Sequence, residues 1–390
     1  MHIGILGPMS IDLLPIGDAP ELEGLPGYPA PIVSSVVRGY LERGARVTAI
    51  TTSTGLGDTV LTTSGRLKLI VVPRARPRSA LTFFRSERQA IQRALAEDPP
   101  DVLHAHWTYE FAAAALDAGI PTLVTAHDDA HTIFRFQPTL YRLLRLLLDA
   151  HVVRAASHVS TPSEYLASRI ASRVRAPITV IPNCIGAEMA VFDGAEAPRG
   201  RAVVTVSNGF SGRKNVAASV EAFANSNAVQ QGWTYVLIGQ GLGPDGEAAE
   251  WARRKGMDRG LCLRGPLTYA QTLDAIERAS IMIHPALEES FGMTVLEAMA
   301  LGTPVIGGVR SGNVPALLAD GCGVLCDVSS PSSITRELDE LVARSDNIDQ
   351  IGARAHARAV CEYGVDRVIG QYLDVLSALL EKPGSTEIGL

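Results

Sequence analysis

The sequence predicts an α/β protein with two doubly wound domains, each a parallel sheet with helices on both faces. Short apolar runs alternate with longer segments of helical pattern, which is the order of strand–helix–strand units. This alternation stops once and then starts again further along the chain. The length of 390 residues also exceeds the usual size of a single domain. We therefore expect two domains of the same class.

The first series of elements starts at the beginning of the sequence and runs to about residue 127. Its strands and helices are predicted at HIGILG, a helix near 31–43, RVTAITTS, LKLIVVP, a helix near 84–97, DVLHAH and TLVTAH. The apolar runs have the length of strands, and the segments between them are long enough for crossover helices.

A stretch rich in Pro, Gly and small residues, around 181–200, interrupts the pattern and predicts the joint between the domains. The second series follows it as RAVVTVSN, TYVLIGQG, LCLRG, SIMIHPA and TPVIGG, with Ala- and Leu-rich helices at its end. We predict a first domain at 1–185, a second at 186–365, and a C-terminal helix within 366–390 that returns to the first domain and ends in a flexible tail. Open α/β sheets bind ligands beyond the carboxyl ends of their strands, so two facing edges would enclose a ligand.

Composition and charge exclude several classes of protein. With a formal net charge of −6, the chain lacks the basic footprint of a general nucleic-acid binder. The start, MHIGILG, reads as a strand and not as a signal peptide, so we expect a cytoplasmic protein. The most apolar helical segment, YRLLRLLLDAHVV, contains Arg142, Arg145 and Asp149 and is not expected to span a membrane.

A loop between a strand and a helix carries the strongest chemical signal in the sequence. The strand SIMIHPA ends near Pro285, and the helix TVLEAMALG is closed by Gly302. The backbone N–H groups at the helix start, residues 291–294, together with the helix dipole, favour a phosphate. Glu289 and Glu297 flank that position and would accept hydrogen bonds from hydroxyl groups on either side. A sugar–diphosphate–ribose has this layout.

The spacing of Glu289 and Glu297, an E-x7-E pattern within ESFGMTVLEAMALGTPVI, resembles the signature of the family 4 glycosyltransferases, which are retaining enzymes of the GT-B fold. Further segments follow in family order: DVLHAHW, PTLVTAHD, VIPN, SNGFSGRKNVAASVEAF, IGQG and LRGPL. The resemblance implies a GT-B architecture, with Rossmann-like acceptor and donor domains facing each other across a cleft. It also implies that Glu297 binds the ribose hydroxyls, that Glu289 binds the transferred sugar, and that no metal or cofactor is required.

Cations are expected near the diphosphate. Arg213 and Lys214 follow a strand and a glycine-containing loop, where they can neutralise a departing diphosphate. Lys214 matches the family lysine, whereas Arg213 lies several residues after the usual position of the family arginine, and a solvated cation is its alternative. The resemblance places His127 near the donor sugar and β-phosphate. Gly27 matches the first glycine of a family pair whose second member is replaced by Tyr28.

The expected catalytic residues are thus His127, Lys214 and Glu289. The expected donor-binding residues are Gly27, Arg213, Lys214, Glu289, Ser290, Phe291, Gly292, Met293, Thr294 and Glu297. His104 and His106 alternate with apolar residues and should share one face of their strand, as structural histidines or as ligands. Asp128 and Asp129 are adjacent carboxylates after a strand, a common arrangement that does not by itself indicate a metal.

The resemblance predicts a retaining transferase that moves a hexose-type sugar from a UDP-, GDP- or other nucleoside diphosphate sugar to a hydroxyl acceptor, in the synthesis of a glycolipid, polysaccharide or glycoconjugate. A noncatalytic GT-B subunit that binds a sugar nucleotide or a partner enzyme, and a GT-B epimerase, remain alternatives. A nicotinamide enzyme is disfavoured, because GLGPDG at 241–246 is followed by a strand with no acid for the adenosine ribose.

One basic segment departs from the acidic balance of the chain. Residues 66–93 contain eight Lys and Arg against the single acid Glu87. The segment is either a solvated face or, with Leu81, Phe83 and Phe84, a contact for an anionic lipid headgroup or a lipid-linked diphosphate acceptor. The second interpretation predicts peripheral attachment at the inner face of the membrane.

Overall fold

A computed structural model describes the chain except for residues 18, 23, 26–27, 29, 75–76, 187–188, 190–198, 211 and 382–390. The chain divides into two compact units. The first contains Met1–Cys184 and the last described helix, Val365–Glu381, and the second contains Ile185–Gly364. The predicted joint at 181–200 includes the boundary between them, and the predicted flexible tail lies outside the described residues.

The first unit is built on an eight-stranded sheet. Its strands are β1 His2–Leu6, β2 Arg46–Ser53, β3 Val60–Ser64, β4 Leu67–Pro73, β5 Val102–His106, β6 Thr122–Thr125, β7 Val159–Thr161 and β8 Ile178–Val180. They lie in the order β3-β4-β2-β1-β5-β6-β7-β8, and all neighbours are parallel except β3 and β4. The central strands β1 and β5 are buried at every residue, as expected for a sheet covered on both faces.

The helices of the first unit follow its strands in the βαβ manner. They are α1 Pro31–Glu42, α2 Arg85–Glu97, α3 Glu110–Asp117, α4 Ala130–Phe136, α5 Leu140–Ala155 and α6 Glu164–Ile170. The last described helix packs on α1, where a side chain at Gly39 would collide with Ile369. The absence of a side chain at Gly39 therefore lets this distant part of the chain join the first unit.

The second unit contains a six-stranded parallel sheet. Its strands are β9 Gly200–Val206, β10 Thr234–Ile238, β11 Leu261–Gly265, β12 Ala279–His284, β13 Val305–Gly308 and β14 Val324–Cys326. Its helices are α7 Val216–Ala224, α8 Asn227–Gln230, α9 Glu247–Lys255, α10 Tyr269–Arg278, α11 Met293–Ala300, α12 Val314–Leu317, α13 Pro331–Ala343 and α14 Ser345–Tyr363, and the helix Val365–Glu381 is α15. The strand order is β11-β10-β9-β12-β13-β14.

This order defines a topological switch point in the second sheet. The chain builds outward in one direction from β9 through β10 to β11, and then in the opposite direction from β12. The loops that follow β9 and β12 therefore lie next to each other at the carboxyl edge of the sheet. From there the chain continues toward β10 in one case and toward β13 in the other. Ligands of open α/β sheets bind at such a crevice.

Candidate functional site

The loops after β9 and β12 are joined directly at the switch point. Asn215 donates from Nδ2 to the carbonyl oxygen of Pro285 at 3.1 Å and to that of Val328 at 2.8 Å. The backbone N–H of Leu287 donates to the carbonyl oxygen of Arg213 at 2.9 Å. Asn215 adopts a left-handed conformation with φ 54°, which Asn tolerates better than most residues. These bonds hold the segment Gly212–Lys214 against the strand-to-helix loop.

Lys214 and Glu289 form an ion pair between the two loops. Lys214 Nζ lies 2.7 Å from Glu289 Oε1, and Arg213 Nη1 lies 3.6 Å from the same oxygen. Burial by itself would raise the pKa of Glu289, but the charges of Lys214 and Arg213 outweigh it and hold the pKa below its usual value. Glu289 is therefore a carboxylate at neutral pH, and its charge is compensated inside the site.

Arg213 also fixes the shape of the loop. Its Nη1 donates to the carbonyl oxygen of Glu288 at 2.6 Å and lies 4.0 Å from the Glu288 carboxylate. Only 28% of its side chain is exposed. The alternative of a solvated cation does not describe this residue, because its guanidinium is bound to the loop that contains Glu289.

A third segment, after β13, supports the loop from behind. The backbone N–H of Asn313 donates to the carbonyl oxygen of Glu289 at 3.0 Å, and Ser311 Oγ donates to that of Ala286 at 2.6 Å. Gly312 has φ +62°, and a Cβ atom there would lie 2.1 Å from the Glu289 carbonyl oxygen. The close approach therefore requires a glycine.

The loop ends where α11 begins. Gly292 adopts a left-handed conformation with φ 101°, and its carbonyl oxygen accepts the first bond of the helix from the N–H of Leu296 at 3.0 Å. Phe291 is buried, whereas Ser290 is half-buried. The residues predicted to face a phosphate, Phe291 to Thr294, thus form the junction between the loop and the first turn of α11. Their binding to phosphate stays a prediction.

Glu297 lies one turn into α11 and is 6% exposed. Its Oε1 accepts a hydrogen bond from the Tyr269 hydroxyl of α10 at 3.2 Å. Burial raises the pKa of Glu297 to about 7, although the bond from Tyr269 acts in the opposite direction. Unlike Glu289, this carboxyl has no cation partner among the described residues and titrates near neutral pH.

His284 was not singled out from the sequence, and it belongs to the same site. It ends β12, and its Nε2 lies 3.7 Å from Glu289 Oε1. That nitrogen is buried and makes no hydrogen bond within the described part of the chain. Burial lowers the pKa of His284 to about 4, so the imidazole is neutral at pH 7. The His284-Pro285 pair at the end of a strand is the sequence signal that could have identified this residue.

His127 lies in the first unit, after β6, and forms a histidine pair with β5. Its Nε2 lies 2.8 Å from Nδ1 of His106, and its ring packs on Trp107. Burial lowers the pKa of His127 to about 3, which keeps the pair neutral. The rings of His104 and His106 are 4.1 Å apart, so the prediction that they share a strand face is confirmed.

The adjacent carboxylates Asp128 and Asp129 both have protein partners. Asp129 caps α4 by accepting from the N–H groups of His131 and Thr132, and it pairs with Arg173 at 2.5 Å. Asp128 accepts a hydrogen bond from Tyr109 at 2.7 Å. Within the described residues, no group of three or more His, Cys, Asp or Glu side chains is placed to hold a metal ion.

Gly27 lies outside the described residues, so its predicted contact with the donor has no structural account. The neighbouring Tyr28 packs its ring under the guanidinium of Arg74, at 4.0 Å from the ring centre. Among the helices that the structure describes, none combines the length and the apolar composition that crossing a bilayer demands.

Two family models match the chain. Residues 32–188 match the model described as Glycosyltransferase Family 4, and residues 191–358 match the model described as Glycosyl transferases group 1. A D-inositol 3-phosphate glycosyltransferase of Streptomyces bingchenggensis is 32% identical over 138 residues, which are 35% of this chain. The chain spans 30% of the length of that relative.

Solved structures match over nearly the whole chain. Sucrose-phosphate synthase from Thermosynechococcus elongatus has a TM-score of 0.78 and 16% identity, and the match covers 97% of this chain and 99% of that one. Anabaena Alr3699/HepE in complex with UDP has a TM-score of 0.67 and 18% identity, and the match covers 97% and 100% of the two chains. The predicted fold class, GT-B with two Rossmann-like domains, is confirmed.

Proposed function

We propose, from the premise that the chain belongs to the family 4 glycosyltransferases, that it moves a hexose-type sugar from a nucleoside diphosphate sugar to a hydroxyl group, with retention of the anomeric configuration. The observation that carries the proposal is the ion pair of Lys214 and Glu289 at the switch point of the second sheet. It combines a cation for a departing diphosphate with a carboxylate for sugar hydroxyls, at the edge where open α/β sheets bind ligands.

The charges at the switch point suit a diphosphate. Lys214 and Arg213 place two cations beside the start of α11, where both pair with Glu289 and Arg213 also lies 4.0 Å from the Glu288 carboxylate. Charge builds up on the diphosphate as the glycosidic bond breaks, and fixed cations stabilise that change without moving. We assign this role to Lys214 first, because its ammonium group is less engaged with the backbone than the guanidinium of Arg213.

The two glutamates are assigned to the two ends of the donor. Glu289 would accept hydrogen bonds from hydroxyl groups of the transferred sugar, and Glu297 would accept them from the ribose. The backbone N–H groups of residues 291–294, between the two glutamates, would bind the phosphates. The neutral imidazole of His284 lies close enough to Glu289 to share the sugar end. His127, neutral and hydrogen-bonded to His106, is proposed to contact the donor sugar.

The donor and the acceptor are specified only by class. The HepE structure was solved with UDP, which supports a uridine or related nucleoside diphosphate for this chain. Because Lys214 and Arg213 supply positive charge to the leaving group, we propose that transfer requires no divalent metal. The acceptor is a hydroxyl, and we propose that it is carried by a lipid-linked substrate. The basic segment at 66–93 supports this assignment.

The proposal is tested with the purified chain and a panel of UDP-, GDP-, ADP- and dTDP-sugars. A donor at 100 times its dissociation constant stabilises the native state by about 2.7 kcal/mol, which a thermal shift detects. The selected donor is then incubated without acceptor, and the released sugar is followed by proton NMR. Slow release of the donor's own anomer is expected. The opposite anomer as first product would contradict retention, an epimerised nucleotide sugar would indicate the epimerase, and binding without any turnover would favour the noncatalytic subunit.

Lys214→Met tests the central assignment. Loss of an electrostatic contact made in the transition state lowers turnover by roughly 100- to 1,000-fold, and donor affinity should change much less. The control is the double variant Lys214→Met/Glu289→Gln, which removes both charges of the ion pair and so leaves no unpaired carboxylate at position 289. Recovery of turnover in the double variant would mean that Lys214 acts only by neutralising Glu289.

A further inference from the structure

A cluster of exposed apolar side chains lies on the first unit, far along the sequence from the predicted donor site. Eleven large apolar side chains are exposed in the described part of the chain, and six of them fall between residues 81 and 147. We call these six the apolar face: Leu81, Phe83, Phe136, Leu140, Leu143 and Leu147. Single exposed apolar residues are ordinary, whereas a group of them on adjoining elements marks an interaction site.

The largest part of the apolar face is one side of α5. Leu140, Leu143 and Leu147 are spaced by three and four residues, so they lie on one side of the helix, and they are 63%, 39% and 52% exposed. On the opposite side, Leu148 and Val152 are buried in the core of the unit. The helix is therefore apolar on two sides, and only its inner side is covered.

The two neighbouring segments complete the face. The short 3-10 helix Pro77–Thr82 and the helix α4 both pack against α5. Phe84, which follows the 3-10 helix, is buried edge-on against the Tyr141 ring, whereas Phe83 remains exposed. Phe84 was expected to contact lipid together with Leu81 and Phe83, and this expectation was wrong because its side chain is buried. Both phenylalanines have left-handed backbones, with φ 49° and 55°, and this tight reversal turns one ring inward and leaves the other outside.

Exposed arginines adjoin the apolar face along the chain. Residues 66–86 contain six Lys and Arg and residues 130–148 contain three Arg, with no acid in either segment, although Lys68 pairs with Asp98 and the buried Arg145 with Glu110. Arg85 and Arg135 are exposed and make no ion pair with any described residue. The guanidinium of Arg142, on α5, donates to Gln137 Oε1 at 3.3 Å and lies 5.7 Å from the centre of the Tyr141 ring. This concentration of cations contrasts with the net charge of −6 for the whole chain.

We propose that the apolar face docks on the surface of an anionic lipid bilayer, with its leucine and phenylalanine side chains in the interfacial region and the surrounding arginines on headgroup phosphates. An in-plane helix with one apolar side and flanking cations has this chemistry. Pairing with a second copy of the chain is disfavoured, because a twofold contact through this face would bring arginines opposite arginines. Binding to lipid is measured without a sugar donor, so its outcome does not depend on the proposed glycosyl transfer.

The test is sedimentation of the full chain with vesicles of phosphatidylcholine and with vesicles of an equimolar mixture of phosphatidylcholine and phosphatidylglycerol. The chain should bind the anionic vesicles, and high salt should weaken that binding. Leu140→Gln/Leu143→Gln/Leu147→Gln should raise the lipid concentration for half-binding by at least about 100-fold, since each leucine that no longer enters the interface contributes about tenfold. Glutamine is a good helix former, so α5 should persist.

A matched control replaces three exposed apolar side chains outside the face, as Leu61→Gln/Val309→Gln/Val360→Gln, and should bind as the unmodified chain does. Arg85→Glu/Arg135→Glu should abolish the preference for anionic vesicles. Three results would overturn the proposal: recovery of the unmodified chain in the supernatant with both vesicle types, equal loss of binding in the control, or a dimer that the α5 variant converts to a monomer without any lipid binding.

Discussion

Replacing Glu297 by Gln should make the protein more stable and its nucleotide binding weaker, and the gain in stability should depend on pH. The carboxyl is buried on α11 and has one hydrogen-bond partner among described residues, Tyr269, which can donate equally well to the carbonyl of glutamine. Substitution therefore removes a buried charge and leaves the shape of the site almost unchanged. Opposite effects on stability and affinity are a signature that a purely structural residue would not give.

The magnitude follows from the pKa of Glu297. A carboxyl with a pKa of about 7 in the folded chain, against an ordinary value of 4.5, destabilises the folded state by about 3 kcal/mol once it is ionised in both states. Because the folded pKa is the higher one, the penalty is absent below pH 4.5, grows between pH 4.5 and 7, and is complete above pH 7. Glutamine does not titrate, so the stabilisation by Glu297→Gln should be small at pH 5 and largest at pH 8.

The assay is calorimetric unfolding of the unmodified chain and of Glu297→Gln at pH 5, 6, 7 and 8, with Glu250→Gln, an exposed glutamate on α9, as the control. A difference of 1 kcal/mol moves the midpoint of a unit of this size by about 2–4 °C. Titration with a nucleoside diphosphate sugar at pH 8 should show affinity reduced by roughly 10- to 100-fold, since a charged acceptor for the ribose hydroxyls is lost. An equal midpoint difference at pH 5 and pH 8 would refute the burial argument, and unchanged affinity would refute the ribose assignment.

Two further outcomes are expected at the same site. Gly312→Ala should reduce both stability and turnover, because the new Cβ would meet the Glu289 carbonyl oxygen. The control Gly256→Ala, with a similar φ of +65° and no atom within 4 Å, should lower the free energy of unfolding by only about 1 kcal/mol. Equal effects of the two variants on thermal stability and on turnover would disprove the role of the contact. Transfer measured after treatment with EDTA should proceed at the untreated rate, and loss of activity that magnesium or manganese restores would contradict charge compensation by Lys214 and Arg213.

Much of the fold could be predicted from the sequence because the central strands are buried on both faces and are therefore apolar throughout. The strands β1, β2, β4, β5 and the inner strands of the second unit coincide with predicted segments to within one residue. The edge strand β3, VLTTS, was missed because it is half-exposed and mixes polar with apolar residues. The strands β7 and β8 were missed because three residues give too short a pattern.

The site could be predicted as far as it depends on strand ends. The loop with Glu289 follows a strand that a His-Pro pair ends, and the segment with Lys214 follows another. Their contact could not be predicted from spacing, because 75 residues separate them and the strand order alone makes them neighbours. The bond from Tyr269 to Glu297 depends on how α10 and α11 pack. No pattern in one sequence specifies that packing.

Ion pairing explains how Glu289 can lie beside the start of α11, where the sequence predicts a phosphate. A lone Glu289 there would repel an anion, but Lys214 and Arg213 compensate its charge. Glu297 has no such cation partner among the described residues, and its raised pKa reflects that burial is not compensated. Glu289 is thus held ionised by protein cations, whereas the ionised form of Glu297 would be stabilised most by hydroxyl donors of a ligand. Under the proposed assignment, ribose binding should lower the pKa of Glu297 and release its proton near neutral pH.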